Sequence, residues 1–373
     1  MSISPTKYRL STAIPSTLPA ESVAGAILYP TMKETKHLRA KKQQQGEAAF
    51  LERIERLAAP RGIRDSGVRL GIGDDAALLK GTNGFDQILT CDWFLEGTHF
   101  LRDRHPPDAV GWKCLARAVS DIAAMGGVPR CFLLSLALPD THAGVWLDQF
   151  LRGLRRAASR FRCALAGGDT TRRLDILINV TVVGEVETGK AILRSGARPR
   201  DVLFVSGRLG EAELGLQLIR KSNRRVNDRD PILKKHLYPE PRLALGRWLA
   251  EKGLATAMMD LSDGLSTDLP RLCAASGVGA RIDAAKIPAV RVPKTARTRG
   301  HDSLDFALHG GDDYELLFTV PRGKRRGIPR SFHGIPLTAV GEITRQRALV
   351  LMDEVGREVP LPNLGWDPFR NPR

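Results

Sequence analysis

Apolar residues spaced three and four apart predict three helices in the first half of the chain. They are expected at residues 47–57, 107–125 and 143–161. The second is the most regular, because its apolar positions keep to one helical face. Gly126 and Gly127 follow it and supply a C-terminal cap.

Apolar runs between these helices predict strands. They are expected at residues 68–79, 87–92, 131–138 and 174–186. The first two end at carboxylates, and strand ends are where open α/β proteins place their ligands. The last run alternates and is rich in Ile and Val, which predicts a strand of an antiparallel or barrel-like sheet.

The second half of the chain again alternates predicted strands and helices. Helices are expected at residues 211–221, 241–251 and 265–275, and strands at 202–206, 256–259, 280–283 and 314–320. Around residues 194–201 the composition turns to Gly, Pro and charge, which predicts a domain boundary. We therefore expect a mixed α/β (α+β) protein with a tail over 1–45, an N-terminal domain over 46–192 and a C-terminal α/β domain over 193–373.

Composition narrows the class of protein. The 373 residues amount to about two domains, and 42% hydrophobic residues are enough for buried cores. Lys and Arg number 57 against 41 acidic residues, a formal charge of +16. The basic residues are scattered and only 6% of residues are aromatic, so the stacking platforms of single-strand binders are not apparent. Nucleic acid is therefore not expected as the main partner.

Cysteine usage and the N-terminal segment bear on location. The five cysteines have no CxxC spacing and an odd count, which is typical of reduced thiols in a cytoplasmic protein. No apolar stretch approaches the roughly 20 residues of a membrane span, so no membrane partner is expected. Residues 1–45 carry seven Lys or Arg, two Glu and little periodicity. They predict a disordered basic tail rather than a transit segment, with Met32 as an alternative start.

Carboxylates recur, mostly beside glycine, at six places along this basic chain. They are Gly71-Ile-Gly-Asp-Asp-Ala-Ala77, Thr90-Cys-Asp92, Ser120-Asp-Ile-Ala-Ala-Met-Gly126, Gly167-Gly-Asp-Thr-Thr171, Asp260-Leu-Ser-Asp-Gly264 and Gly310-Gly-Asp-Asp-Tyr-Glu315. Mg²⁺ prefers oxygen ligands, usually one or two carboxylates together with phosphate oxygens and water. The sequence therefore predicts a site for magnesium and nucleotide.

These carboxylates also have plainer interpretations. Asp74 and Asp75 could form a turn, and Asp263 could cap the helix that follows it. Asp121 is the sharpest indication of a site, because it lies in an apolar run near a helix C-terminus, where the dipole disfavours an anion. Its alternative is a buried, hydrogen-bonded Asp. At 167–171, glycines let main-chain N–H groups approach phosphate, and the alternative is a turn that ends a strand.

Other candidate motifs are weaker. Gly184-Glu-Val-Glu-Thr-Gly-Lys190 has the spacing of a phosphate-binding P-loop, but Ala191 stands where Ser or Thr should hold Mg²⁺. We therefore prefer a hairpin turn there. His99 follows an acidic, aromatic run and is either a contact for a substrate anion or a surface histidine. No Ser/His/Asp or Cys/His arrangement is legible, so covalent catalysis is not expected.

The ordered motifs resemble those of the thiamine-monophosphate kinases, in the superfamily of aminoimidazole ribonucleotide synthetase and selenophosphate synthetase. The resemblance covers residues 48–370. It rests on the carboxylate motifs named above. It also rests on Asp92 through His99-Phe100, Arg194-Ser-Gly-Ala197 and Gly365-Trp-Asp-Pro-Phe369. Selenophosphate synthetases resemble one another in a reactive Cys or Sec near the N-terminus, and residues 1–90 here contain no Cys. The hydrogenase-maturation relative ends in Cys, whereas this chain ends Asn-Pro-Arg.

The resemblance implies roles for individual residues. It implies that several Mg²⁺ ions are held by Asp75, Thr90, Cys91, Asp92, Asp121, Asp169, Asp260 and Asp263. It implies that ATP contacts Gly168, Asp169, Arg194 and Ser262, and that thiamine monophosphate contacts His99, Asp312 and Trp366.

Two positions depart from the family pattern. Cys91 stands where the family usually has Thr or Ser, which matters only if a hydroxyl, rather than the main-chain carbonyl, is the ligand. Asp312 replaces the usual Glu of a Gly-Gly-Glu-Asp motif, so its substrate contact would need a shift of about one methylene.

The implied reaction is in-line transfer of the γ-phosphoryl group of ATP to thiamine monophosphate, a step of thiamine diphosphate biosynthesis. Mg²⁺ and Arg194 would neutralise charge, and no acid, base or nucleophile of the protein is required. The resemblance also implies a homodimer whose N-terminal domains share a β-barrel. Alternatives are a superfamily member that uses ATP with another acceptor, and a non-catalytic paralogue that binds nucleotide. All six principal Asp positions are present, which argues against the paralogue.

Overall fold

The computed structural model describes residues 47–58, 67–222, 226–227, 230–292, 302–353 and 355–369. The predicted tail over 1–45 lies outside these residues. Two sheets and eight helices form the described part of the chain. Among the described helices, none is long and apolar enough to cross a membrane.

The first sheet belongs to the first half of the chain and has six strands in the order β1-β2-β3-β6-β4-β5. Its neighbours are antiparallel except β4 and β5, which run parallel. The strands are β1 (Val68–Leu70), β2 (Ala77–Lys80), β3 (Phe85–Leu95), β4 (Val128–Leu138), β5 (Ala164–Arg172) and β6 (Leu177–Glu187).

Four helices accompany the first sheet and the start of the second half: α1 (Glu47–Ala58), α2 (Pro107–Ala124), α3 (Val145–Phe161) and α4 (Glu211–Lys221). The central one is α2, whose apolar residues are buried with those of α3 and the sheet. It approaches α3 closely, because a Cβ on Gly153 would lie 1.8 Å from the carbonyl oxygen of Asp108. The glycine therefore permits the helix crossing that fixes α2 on the sheet.

The second sheet belongs to the second half, in the order β14-β13-β9-β12-β7-β10-β8, with β11 paired to β12. Its strands are β7 (Val202–Ser206), β8 (Ala257–Leu261), β9 (Gly279–Asp283), β10 (Glu315–Val320), β11 (Ser331–Phe332), β12 (Ile335–Thr344), β13 (Leu349–Met352) and β14 (Glu358–Pro360). The remaining helices are α5 (Lys234–Leu237), α6 (Leu243–Glu251), α7 (Leu265–Ser276) and α8 (Ser303–His309).

Helices cover both faces of the second sheet. Every residue of β8 and β10 is buried. Side chains on one face pack with α7 and α8, and those on the other pack with α6 and the end of α2. Close approach again depends on glycine, since a Cβ on Gly246 of α6 would lie 2.0 Å from the carbonyl oxygen of Ala123. Helix α2 therefore contacts both sheets and connects the two halves.

Most of the predicted helices and central strands are confirmed, and two local predictions need correction. The strand expected at 68–79 is interrupted, because residues 71–76 form a loop between β1 and β2. The 167–171 motif lies within β5 and is not a turn after a strand. The P-loop spacing at 184–190 ends β6 in a turn, as preferred. Helices α5 and α8 and strands β5 and β11–β14 have no counterpart among the predictions.

Candidate functional site

Three carboxylates from distant parts of the chain meet between the two sheets. Asp75 comes from the loop after β1, Asp121 from the end of α2, and Asp260 from β8. Each offers an oxygen, and the three oxygens lie within 4.8 Å of one another. The sequence predicted these three residues as ligands of one kind of site, and the fold brings them together.

This carboxylate cluster holds more negative charge than its surroundings neutralise. Burial, together with the charges of Asp92, Asp260 and Asp75, raises the pKa of Asp121 well above its ordinary value. Burial and the charge of Asp75 raise the pKa of Asp260 to about 7. One oxygen of Asp75, Oδ2, is buried without a hydrogen-bond partner among the described residues. An all-oxygen donor set with a free, buried lone pair fits a hard divalent cation such as Mg²⁺.

Within the described residues, Arg194 is the cation that forms an ion pair with this cluster. Its Nη2 lies 2.9 Å from Oδ1 of Asp75, and its main-chain N–H donates to the Asp74 carboxylate at 3.0 Å. Burial and the neighbouring Asp75 raise the pKa of Asp74 to about 6. The Nε of Arg194 is buried with no hydrogen-bond partner among the described residues, so the side chain keeps a donor for an anionic ligand.

Alternation along β3 decides which of its residues face the cluster. Thr90 is buried and donates a hydrogen bond to the Asp121 carboxylate. Cys91 faces the opposite, exposed side, where its sulfur lies 3.2 Å from the Asn179 amide nitrogen. Successive side chains of a strand point to opposite faces. The Cys91 thiol therefore does not face the cluster, and only the main-chain carbonyl remains for the predicted ligand role.

Asp92, the next residue that faces the cluster, lies at its edge. Its Oδ2 is 3.6 Å from the Nε of Arg117 on α2. Burial raises the pKa of Asp92, and the Arg117 charge opposes that rise.

Asp263 does not cap α7. The residue before the helix is Gly264, and no side-chain capping bond is present. Instead Asp268, within the helix, accepts hydrogen bonds from the main-chain N–H groups of Ser262 and Asp263 at 3.1 and 3.0 Å. Asp263 pairs with Arg271 at 2.5 Å. The structure therefore places Asp263 beside the cluster but not in the group of three carboxylates.

Gly168 and Asp169 lie apart from the cluster, on an edge strand. All nine residues of β5 are exposed. The Asp169 carboxylate accepts a hydrogen bond from its neighbour Thr170 N–H at 2.9 Å. Gly168 has φ +153°, and a Cβ there would lie 1.8 Å from the Leu134 carbonyl oxygen. The pairing of β5 with β4 thus requires glycine at this position, whatever else the residue contacts.

His99 is held as a neutral ring. Its Nδ1 accepts a hydrogen bond from the Leu95 N–H at 3.0 Å, so Nε2 carries the proton. The ring stacks on Phe94 at 5.7 Å. Burial and the positive charge of Arg117 lower the pKa of His99 to about 3. The ring therefore offers an uncharged Nε2–H donor.

Trp366, another residue implied for thiamine monophosphate, lies beside Asp263. Its main-chain N–H donates to the Asp263 carbonyl at 2.9 Å, and the residue is 42% exposed. An exposed indole next to the site is free to contact a ligand ring.

Asp312 is the third residue implied to contact thiamine monophosphate. Its carboxylate is already paired with other side chains of the protein. One oxygen pairs with the Lys113 ammonium at 2.8 Å, and the other accepts from the Tyr314 hydroxyl at 2.6 Å. Burial disfavours its charge, but Lys113 and Arg117 outweigh burial and hold its pKa well below its usual range. Its main chain adopts φ +66° and donates to the Ser262 carbonyl at 2.8 Å.

Two buried histidines extend this network. His236 lies 3.2 Å from the Lys113 ammonium and 3.1 Å from His105. Burial and Lys113 lower the pKa of His105 to about 4 and that of His236 well below its ordinary value. Both are therefore neutral near pH 7, and Lys113 carries the local positive charge.

Sequence reasoning missed Lys113, Arg117, Tyr314 and His236. A signal was available for the first two: they are cations four residues apart in a helix whose other positions are mostly apolar. Residues four apart lie on one helical face. A cation on the buried face of a helix is costly unless it is paired, so the spacing indicates a charged partner elsewhere.

Comparison with known proteins shows which family the chain resembles. Two family models match the chain: AIR synthase related protein, N-terminal domain, over residues 73–186, and AIR synthase related protein, C-terminal domain, over residues 198–354. The thiamine-monophosphate kinase of Escherichia coli (strain K12) is 37% identical over 309 residues, which are 82% of this chain and 93% of that protein. The thiamine-monophosphate kinase of Bacillus subtilis (strain 168) is 34% identical over 322 residues, which are 83% of this chain and 97% of that protein.

Solved structures agree in fold. The structure of AaThiL complexed with AMPPCP and TMP is similar with a TM-score of 0.75 at 31% identity, covering 88% of this chain and 99% of that one. The two-domain, mixed α/β fold expected from the sequence is thereby confirmed. The domain bounds at residues 45 and 192 stay predictions.

Proposed function

Because the chain belongs to the family of thiamine-monophosphate kinases, we propose that it transfers the γ-phosphoryl group of ATP to thiamine monophosphate, giving thiamine diphosphate and ADP. The transfer is direct and in line, without a phosphoenzyme. The observation that carries this proposal is the cluster of Asp75, Asp121 and Asp260 beside Arg194.

The cluster is suited to the donor side of the reaction. Asp75, Asp121 and Asp260 would hold Mg²⁺, with Asp92 and Asp263 at the margin of the cluster. Bound there, Mg²⁺ supplies positive charge that offsets the repulsion between two phosphorylated reactants. Arg194 would contact an ATP phosphate, since its Nε has no hydrogen-bond partner among the described residues.

His99 and Trp366 form the acceptor side. The neutral His99 ring donates through Nε2, and the exposed Trp366 indole offers an apolar surface to a heterocycle. The acceptor is a phosphate oxygen that is already ionised near pH 7, so no general base is needed. The described site accordingly needs to bind and orient the acceptor rather than deprotonate it.

The test is product formation by the purified protein. With ATP and Mg²⁺, we expect ADP release that depends on thiamine monophosphate and matches thiamine diphosphate formed, measured by chromatography. If ATP is consumed only with another acceptor, the assignment of thiamine monophosphate as substrate is wrong, and the assignment to the superfamily still holds. No turnover with any phosphate acceptor, despite nucleotide binding, would favour a non-catalytic paralogue.

We also propose a homodimer through the first sheet. Helices α2 and α3 cover one face of that sheet, whereas the opposite face exposes the apolar residues Leu89, Trp93 and Leu133. An exposed apolar face and an unpaired edge strand favour association. The interface would bring Asp169 on β5 near a second copy.

Sedimentation velocity checks the dimer. We expect the unmodified protein to sediment as a dimer and Leu133→Asp, which places a charge on the apolar face, to sediment as a monomer. Leu174→Asp is a matched control, because Leu174 is 87% exposed outside the strands of the sheet. A monomeric unmodified protein would contradict the proposal.

We place the reaction in the cytoplasm. All five cysteines are free thiols, which is typical of proteins in a reducing compartment.

A further inference from the structure

Arg117 lies on α2, one helical turn before Asp121, and faces the acceptor side of the site. Its guanidinium is 3.6 Å from Oδ2 of Asp92 and 3.5 Å from Oδ1 of Asp312. It also lies 5.6 Å from the centre of the Phe94 ring. His99 stacks on that same ring. The guanidinium and the neutral imidazole therefore lie against one aromatic side chain.

Arg117 contacts these neighbours through long ion pairs. Distances of 3.5 and 3.6 Å describe ion pairs rather than well-formed hydrogen bonds. Its Nε is buried and has no hydrogen-bond partner among the described residues. An unpaired buried donor is costly unless a ligand completes it.

Each carboxylate near Arg117 has a further neighbour of its own. Asp312 has the Lys113 ammonium at 2.8 Å and the Tyr314 hydroxyl at 2.6 Å. Asp92 lies beside the carboxylate cluster that fits a divalent cation, and its charge raises the pKa of Asp121 in that cluster. With Mg²⁺ bound at that cluster, Asp92 would have a second cation beside it, and Arg117 would have positive charge available for a further anion.

Arg117 stays charged at any pH at which the protein is folded. Burial opposes its charge, but the neighbouring Tyr314, Asp92 and Asp312 outweigh burial and raise the pKa of Arg117 above its ordinary value. Its side chain is 15% exposed, so it is accessible from the site while largely shielded from water. Shielding strengthens its attraction for an anion.

We propose that Arg117 binds the phosphate group of the acceptor, thiamine monophosphate, through its guanidinium. This assignment rests on the proposed function. A planar guanidinium matches two phosphate oxygens at once, which fixes the orientation of the group as well as its position. Arg194 would then serve the donor phosphates and Arg117 the acceptor phosphate, one arginine for each reactant.

Binding without turnover tests the assignment. Isothermal titration calorimetry with Mg²⁺ and without ATP would compare thiamine monophosphate with thiamine, which lacks the phosphate. We expect Arg117→Met to weaken thiamine monophosphate by about 10- to 100-fold and to leave thiamine unchanged. Arg117→Lys, which keeps the charge but not the planar fork, should cost less and again affect only the phosphorylated ligand. Arg152→Met, at an exposed arginine of α3, is the matched control.

The outcomes separate this assignment from the reaction itself. Equal weakening of both ligands, or no weakening of either, would overturn the role of Arg117 and leave the kinase intact. Equal weakening would indicate that Arg117 only positions Asp92 and Asp312. If Arg117→Met unfolds, the Arg117→Lys comparison decides alone. An unmodified protein that neither binds nor phosphorylates thiamine monophosphate would remove the proposed function and this assignment together.

Discussion

Asp121→Asn is expected to lower phosphoryl transfer by about 1,000-fold or more, which corresponds to roughly 4 kcal/mol of lost transition-state stabilisation. Asn keeps the shape of the side chain but removes the charge that the three-carboxylate cluster offers to a cation. Asp75 and Asp260 then remain as a weaker pair of ligands. The measurement is the rate of thiamine diphosphate formation at saturating ATP and Mg²⁺.

Stability distinguishes a lost ligand from a damaged fold. Burial and neighbouring carboxylates raise the pKa of Asp121, so its negative charge disfavours the metal-free fold. With EDTA, Asp121→Asn should therefore unfold at the same or a higher temperature than the unmodified protein. Mg²⁺ at 100 times its dissociation constant should add about 2.7 kcal/mol to the unmodified protein, and much less to the variant.

Asp140→Asn is a suitable control, because the Asp140 side chain is 74% exposed and pairs at the surface with Arg172. It should change neither rate nor Mg²⁺-dependent stability. An Asp121→Asn variant that keeps its rate, or that keeps the full stabilisation by Mg²⁺, would show that the cluster is not the metal site.

Lys113→Met is expected to destabilise the protein by about 3 to 5 kcal/mol, the usual cost of breaking a buried ion pair, because Asp312 would lose its partner at 2.8 Å and keep only the longer ion pair with Arg117 at 3.5 Å. The Lys113 side chain is 2% exposed and the Asp312 side chain 21%. Burial lowers the pKa of Lys113 even though Asp312 opposes this, so the lysine does not favour folding by itself. The ion pair stabilises the folded state through Asp312, because the pKa of Asp312 is held well below its usual range.

The pH dependence of that loss follows from the lowered pKa of Asp312. A carboxyl with a lowered pKa in the folded state stabilises the protein above its unfolded pKa, about 3.9. That contribution disappears as pH falls through the folded pKa. The difference in unfolding free energy between the unmodified protein and Lys113→Met should therefore be largest near neutral pH and shrink below about pH 4.

Urea unfolding at several pH values gives this difference. The matched control is Lys113→Met with Asp312→Asn, which removes both charges and should recover much of the loss, because no buried charge is left alone. If the double variant is as unstable as the single one, the loss comes from packing of the Lys113 stem and not from the ion pair.

The sequence by itself determined most of the elements and the principal carboxylates. Helix α2 is confirmed at Pro107–Ala124 because its apolar period is a local property. The sequence also identified Asp75, Asp121 and Asp260, since a carboxylate in an apolar run or at a strand end is unusual enough to indicate chemistry. The structure brings these three together.

Only the tertiary structure decided how those residues are partnered. Asp268, not Asp263, accepts the hydrogen bonds from the main chain of the loop before α7. Asp312 pairs with Lys113 and accepts a hydrogen bond from Tyr314. Lys113 and Asp312 are far apart in the chain, so their contact depends on how α2 packs between the two sheets. The extension of β5 through Gly168 likewise depends on its pairing with β4. Spacing along a chain reports local periodicity, whereas pair contacts and edge-strand pairing are set by packing between distant segments.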